Sequence, residues 1–213
     1  MYEHFWKRLI DIVLSSIGII VVAIPMLIIA LIIKIDSPGP VFFKQKRVGI
    51  NKTNFTIIKF RSMPITVPKD TPTHQFKAED MLSKWQKFMR KSSLDELPQF
   101  FCIWLSKMSI VGPRPALWNQ DDLVAERDKY GANDVKPGLT GWAQVNGRNA
   151  ITWDEKFELD VWYVEHISFS LDAKIVWQTV KAVLHREGIS AESSATMEAF
   201  TGTKEKEENV LSH

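Results

Sequence analysis

Two adjacent carboxylates, Asp95 and Glu96, stand in a cationic setting: Arg90 and Lys91 precede them, Arg114 follows between two prolines, and Arg148 closes a Gly-Arg loop. Paired carboxylates offer a hard oxygen ligand for Mg²⁺ and a nucleophile, while arginines in stiff loops grip diphosphate oxygens through paired hydrogen bonds. That combination suits phosphoryl transfer. Taken singly, each residue reads more readily as a surface charge or a helix-capping ion pair, so the argument rests on the set. The commoner alternatives lack their motifs: there is no P-loop, dinucleotide fingerprint, Gly-x-Ser-x-Gly elbow or His-Glu-x-x-His helix. His74 and His166 are isolated and read as surface or structural residues. Gly138-Leu139-Thr140-Gly141 matches the Gly-x-x-Gly of nucleic-acid-clamping KH modules, but the rest of that module is missing.

Several elements must position these groups. Val41–Phe43 and Phe55–Ile58 favour β structure on either side of Gly49-Ile50-Asn51-Lys52, which predicts a short hairpin carrying Lys44, Lys46, Arg47, Lys59 and Arg61. From Lys34 to Asp70 eight basic residues face two acidic ones, enough for a collar on anionic lipid or for a phosphate-binding wall. Pro64 to Thr73 reads as an exposed loop. Residues 78–91 predict a basic amphipathic helix with Met81, Leu82, Trp85, Phe88 and Met89 on one face. Leu94 to Leu105 predicts a second helix, capped by Ser92-Ser93, with the acidic pair in its first turn. Gly112 to Gly147, punctuated by glycine and proline, reads as irregular, and such segments often carry function. Two further amphipathic helices are expected at 153–164 and 171–186, the latter opened by Ser170 and Asp172, before a polar tail.

The N-terminus is of a different character. Leu9 to Ile33 is apolar apart from Asp11, Ser15, Ser16 and small or imino residues. Its 25 residues, at about 1.5 Å each, could just cross a hydrocarbon core of about 30 Å. Against a simple span stand Pro25 inside the run, Asp11 near one end, and basic flanks on both sides: Lys7 and Arg8 before, then Lys34, Lys44, Lys46 and Arg47 after. Both flanks would prefer the cytoplasm, which one span cannot satisfy. A helix that enters, breaks near Pro25 and returns would satisfy it.

Composition limits the rest. The 213 residues allow one domain with a membrane element, and 45% apolar residues with a mean hydropathy of −0.10 exclude both a polytopic membrane protein and a disordered chain. A net charge of +2 gives no general attraction to polyanions, so nucleic acid is not an expected partner. The single cysteine, Cys102, rules out an internal disulfide and makes a zinc cluster improbable.

Four ordered motifs resemble those of the bacterial sugar transferases, the monotopic phosphoglycosyl transferases. They are Lys59-Phe60-Arg61-Ser62-Met63, Ser93 to Gln99 around the acidic pair, Val111-Gly112-Pro113-Arg114-Pro115, and Pro137 through Arg148, and the resemblance runs from the apolar N-terminus to about Gly202. It implies transfer of a sugar 1-phosphate from a UDP-sugar to undecaprenyl phosphate, with release of UMP. It implies that Asp95 attacks the β-phosphorus to give a covalent phosphosugar, that Glu96 assists or holds Mg²⁺ with Asp95, and that Lys59, Arg61, Arg90, Arg114 and Arg148 bind phosphate. It also implies a re-entrant helix turning at Pro25, a monotopic enzyme in the bacterial inner membrane with its catalytic domain on the cytoplasmic face, lipid contacts, and a possible homodimer.

The expected fold is therefore α+β and mainly helical: a re-entrant membrane helix hairpin (1–36), a catalytic domain (37–202) with a small β-hairpin, amphipathic interfacial helices and an irregular catalytic loop region, and a polar tail (203–213). Residues 183–202 resemble the end of the diacetylbacillosamine-1-phosphate transferases, which favours an acetamido-sugar donor; UDP-galactose, UDP-glucose and a catalytically inactive scaffold are the alternatives. One departure is local. Ser106-Lys107 stand where the family usually has Gly-Asp, which questions the turn at that point.

Overall fold

The computed structural model describes residues 2–67, 81–147 and 151–185. The chain is mainly helical, with one hairpin and one short parallel strand pair. Helix α1 (Lys7–Asp36) is long and apolar enough to cross a membrane, alone among the described helices. Its middle is bare, Ile20, Val21, Ile24 and Leu27 being 68–75% exposed, whereas both ends are held by the domain. Near the start, Arg8 donates to the Ile103 and Trp104 carbonyls at 2.7 and 2.8 Å, and Asp11 accepts from the Ile110 amide at 2.9 Å and the Ser109 hydroxyl at 3.1 Å. Near the finish, Ile29 and Ile33 are buried with Phe60 and Met89. The helix continues through Pro25, so the turn expected there is not shown. Proline removes one backbone donor there, but the remaining bonds of a 30-residue helix hold the chain helical.

Strands β1 (Phe42–Val48) and β2 (Asn54–Phe60) form the predicted antiparallel hairpin, in register from Phe42 opposite Phe60 to Val48 opposite Asn54. Helix α2 (Lys84–Lys91) is shorter than expected: Ser83 caps it with Gln86 in a reciprocal capping box, so Met81 and Leu82 precede it, while 78–80 lie outside the described residues. The single helix predicted from Leu94 divides. Ser93 takes a left-handed conformation (φ 57°), Leu94–Glu96 make one tight 3₁₀ turn, and α3 (Gln99–Trp104) starts only after Pro98. Ser93 makes no side-chain cap, so the acidic pair precedes α3 rather than opening it.

The segment read as irregular, Gly112 to Gly147, holds three short elements, α4 (Asp121–Asp128), β4 (Gly138–Thr140) and α5 (Trp142–Asn146), and β3 (Ser109–Val111), just before it, pairs in parallel with β4. Gly112, Gly138 and Gly141 lie so close that a Cβ on any of them would collide with the backbone of the facing segment. Glycine is required here by proximity, and it locks the Gly-Pro-Arg-Pro segment to the Pro-Gly-Leu-Thr-Gly segment. Helix α6 (Trp153–Glu165) opens on a Thr152–Glu155 capping box, and α7 (Phe169–His185) opens two residues earlier than predicted, at Ser168. Ser106 has φ 65°, so the turn keeps the left-handed geometry suited to glycine, and its hydroxyl accepts from Lys136 at 2.7 Å.

Candidate active site

The 3₁₀ turn carrying Asp95 and Glu96 packs between α2, β2 and α1, through Leu94 and Leu97 in the cluster around Phe60 and Met89. Strand β2 delivers Lys59, and Pro113 and Pro115, both buried, stiffen the loop that delivers Arg114. The two cations converge on one oxygen: Lys59 Nζ donates to Glu96 Oε1 at 2.6 Å and Arg114 donates to the same atom at 2.7 Å. Burial alone would raise the Glu96 carboxyl, but Arg114 and Lys59 outweigh it and hold the group well below the usual carboxylate range. Glu96 is thus a fixed anion.

Asp95 has a different setting. It is 8% exposed and, among the described residues, accepts a single hydrogen bond, from Ser62 at 3.1 Å. Burial raises its pKa; Lys59, Arg90 and the Ser62 bond oppose the rise, and Glu96 adds to it. The Lys59 ammonium is lowered by burial, partly offset by Glu96. Arg90 therefore belongs to the field around Asp95, though it makes no hydrogen bond to it among the described residues.

Arg61 is placed elsewhere. It is 5% exposed, and its guanidinium donates to the Ser37 and Pro38 carbonyls at 2.7 and 2.6 Å and to the Ser37 hydroxyl at 2.9 Å. Its two terminal nitrogens thus pin the turn that leaves α1. Arg148 lies outside the described residues. Among those residues no group of three or more Asp, Glu, His or Cys could hold a metal ion.

A second group of charges lies behind Arg114. Arg47, Arg114, Arg127, Lys156 and Asp160 line a cavity of about 110 Å³ with Trp153 and Phe157. The sequence argument placed Arg47 on the basic hairpin and named Arg114, but missed Arg127, Lys156 and Asp160, because single charges on amphipathic helices look like solvated faces until packing buries them. Burial lowers Arg47 to about 10 and Lys156 to about 8, and it raises Asp160 against the pull of Arg127 and Lys156.

Residues 2–186 match the model of the bacterial sugar transferase family. The chain is 43% identical to an uncharacterized sugar transferase, EpsL, of Bacillus subtilis over 197 residues, covering 92% of this chain and 96% of that one. It is 37% identical to the UDP-glucose:undecaprenyl-phosphate glucose-1-phosphate transferase of Escherichia coli, over 82% of this chain but only 39% of that one. It is also 37% identical to the UDP-N-acetylgalactosamine-undecaprenyl-phosphate N-acetylgalactosaminephosphotransferase of Aeromonas hydrophila, over 84% of this chain and 44% of that one. The chain thus spans roughly two fifths of the length of these last two relatives.

Proposed function

The chain belongs to the bacterial sugar transferase family, and on that premise we propose that it transfers a sugar 1-phosphate from a UDP-sugar to undecaprenyl phosphate, releasing UMP. The observation that carries the reading is the unequal treatment of the two acids. Glu96 is clamped by two cations on one oxygen, while Asp95 beside it keeps its lone pairs largely free. A clamped carboxylate is a poor nucleophile, and a desolvated, sparsely bonded one is a good nucleophile. Asp95 attacks the β-phosphorus of the donor; the bond from that phosphorus to the bridging oxygen breaks, and its electron pair leaves on UMP. The undecaprenyl phosphate oxygen then attacks the acyl phosphate, and the bond to Asp95 breaks to return the carboxylate. Lys59 and Arg114, fixed by Glu96, hold the non-bridging oxygens in line, and Arg90 compensates charge at Asp95.

Mg²⁺ fits this donor set. Asp95 Oδ1 and Glu96 Oε2 accept no hydrogen bond among the described residues, and Mg²⁺ is commonly held by one or two carboxylates together with substrate phosphates. When bound, it supplies charge neutralisation for the diphosphate. The donor is an acetamido sugar on the strength of residues 183–202. The catalytic domain lies on the cytoplasmic face of the inner membrane with α1 re-entrant, because both basic flanks favour that side and both ends of α1 dock on the same domain.

The test is UMP release by the purified protein from a panel of UDP-sugars, with Mg²⁺ and undecaprenyl phosphate, alongside intact-mass detection of a phosphosugar adduct. One donor giving acceptor-dependent UMP, with an adduct that Asp95→Asn cannot form, is the expected result. An adduct that persists in Asp95→Asn would overturn the nucleophile assignment.

A further inference from the structure

The cavity behind Arg114 takes no part in the attack by Asp95, yet it is built at some cost. Arg127 is 6% exposed; one of its terminal nitrogens donates to the Arg114 carbonyl at 2.7 Å, while its Nε is buried without a partner. Arg47 repeats the pattern: it donates to the Pro115 carbonyl at 3.0 Å and to Gln45 at 2.7 Å, and its Nε is likewise buried and unpaired. Leaving a buried donor unsatisfied is unfavourable by about 1–3 kcal/mol, and both arginines line one cavity, with Asp160 as the single carboxylate among its lining residues, so the cavity has donors to spare for an acceptor. Lys156 adds a third cation, its ammonium 4.5 Å from the centre of the Trp153 ring. At about 110 Å³ the cavity is well below the roughly 300–1,000 Å³ of pockets that enclose whole small ligands, so it receives one anionic group of a larger molecule.

Arg114 decides which group. It lines this cavity and also grips Glu96, so it stands between the cavity and the acidic pair. The charged neighbours of Asp95 are Lys59, Glu96 and Arg90, whereas those of Lys156 are Asp160, Arg114, Arg127 and Arg47. In-line phosphoryl displacement puts nucleophile and leaving group on opposite sides of the phosphorus. We propose that this second chamber seats the phosphate of the leaving nucleoside monophosphate, with Arg47, Arg127 and Lys156 taking up the charge that appears on its oxygen as the bond to the sugar phosphate breaks. This rests on the transfer reaction proposed above and extends it to residues outside the family motifs that suggested that reaction.

The experiment separates the two. UMP and uridine are titrated calorimetrically into the full-length protein in nanodiscs, for the wild type, Lys156→Met and Lys156→Arg. Losing one charge-assisted hydrogen bond weakens binding by roughly ten-fold or more. Lys156→Met is therefore expected to lose about that much UMP affinity, and Lys156→Arg to recover most of it. Uridine should bind far more weakly than UMP. UMP should also shield Lys156 from amine acylation in the unaltered protein, read by peptide mass spectrometry, which needs no folded variant. Undiminished UMP binding by Lys156→Met, or no shielding, would overturn the chamber while leaving the transfer reaction intact. A wild-type protein that neither binds nor releases UMP would remove both.

Discussion

Asp95 and Asp172 are buried to the same degree, 8% and 7% exposed, but they are treated in opposite ways. Asp172 accepts from the Tyr2 hydroxyl at 2.7 Å, from the Tyr163 hydroxyl at 2.8 Å and from the Lys7 ammonium, so both of its oxygens are engaged. Asp95 has one neutral donor among the described residues, Ser62. The first joins four segments, the Tyr2–Trp6 turn, α1, α6 and α7, into one body. The second is held in place by its backbone and kept short of partners, which leaves oxygen lone pairs for a reaction. The number of donors, rather than depth of burial, separates a structural carboxylate from a reactive one here.

Paired substitutions sharpen this contrast. Asp95→Asn should lower transfer on the order of 10³-fold or more while leaving thermal unfolding nearly unchanged. Asp172→Asn should do the reverse, removing about 3 kcal/mol of stability because Lys7 loses its buried partner, with transfer per folded molecule preserved. Calorimetric melting beside turnover measures both, and comparable activity losses in the two variants would break the contrast. Next in size is Arg114→Met, expected to cut turnover about 10²-fold by removing half of the Glu96 clamp and a phosphate ligand. Arg114→Lys should restore little, since a point charge cannot reproduce a guanidinium fork.

The two acids of the site also differ in their response to pH. Asp95 must be ionised to attack, and burial raises its pKa against Lys59, Arg90 and Ser62, with Glu96 reinforcing the rise. Adduct formation should therefore fail as pH falls through a value above the ordinary carboxylate pKa of about 3.9. In Lys59→Met that limb should move higher still, because the opposing charge is gone. Rapid-quench measurement of the adduct against pH reads it directly; a limb at or below about 4 would contradict the environment described for Asp95. The smallest effect is expected at Ser106, whose φ of 65° is unfavourable for a residue with a Cβ. Ser106→Gly should stabilise the protein by about 1 kcal/mol, some 2–4 °C in melting temperature.

Much of this was legible from sequence where a local rule operates. The hairpin follows from β-favouring runs around a turn, and α6 and α7 follow from their apolar spacing. The acidic pair and Arg114 were legible as chemistry, and the family resemblance gave them roles. What escaped depends on tertiary placement. Three-residue strands such as β3 and β4 have no periodicity to read, and their pairing comes from glycines that admit a facing backbone. Pro98 divides what looked like one helix, and an Asp121-Asp122 first turn with Arg127 in the last was the faint signal for α4. Arg61 could not be assigned from type alone: an arginine beside an active site and one that anchors a turn are the same letter.

The docking of α1 at both ends has a practical corollary for anyone wishing to study the enzyme in free solution. Cutting the chain at the Ser37-Pro38 turn would do more than discard an anchor. It would strip Ile29 and Ile33 from Phe60 and Met89, which pack beneath the acidic turn. It would also unpin the strand that leads into Gly112 and Arg114 by removing the carboxylate that accepts from Ile110. A shortened protein is expected to expose a raw apolar seam and to aggregate, so detergent or nanodisc preparations of the intact chain are the form in which its chemistry can be measured.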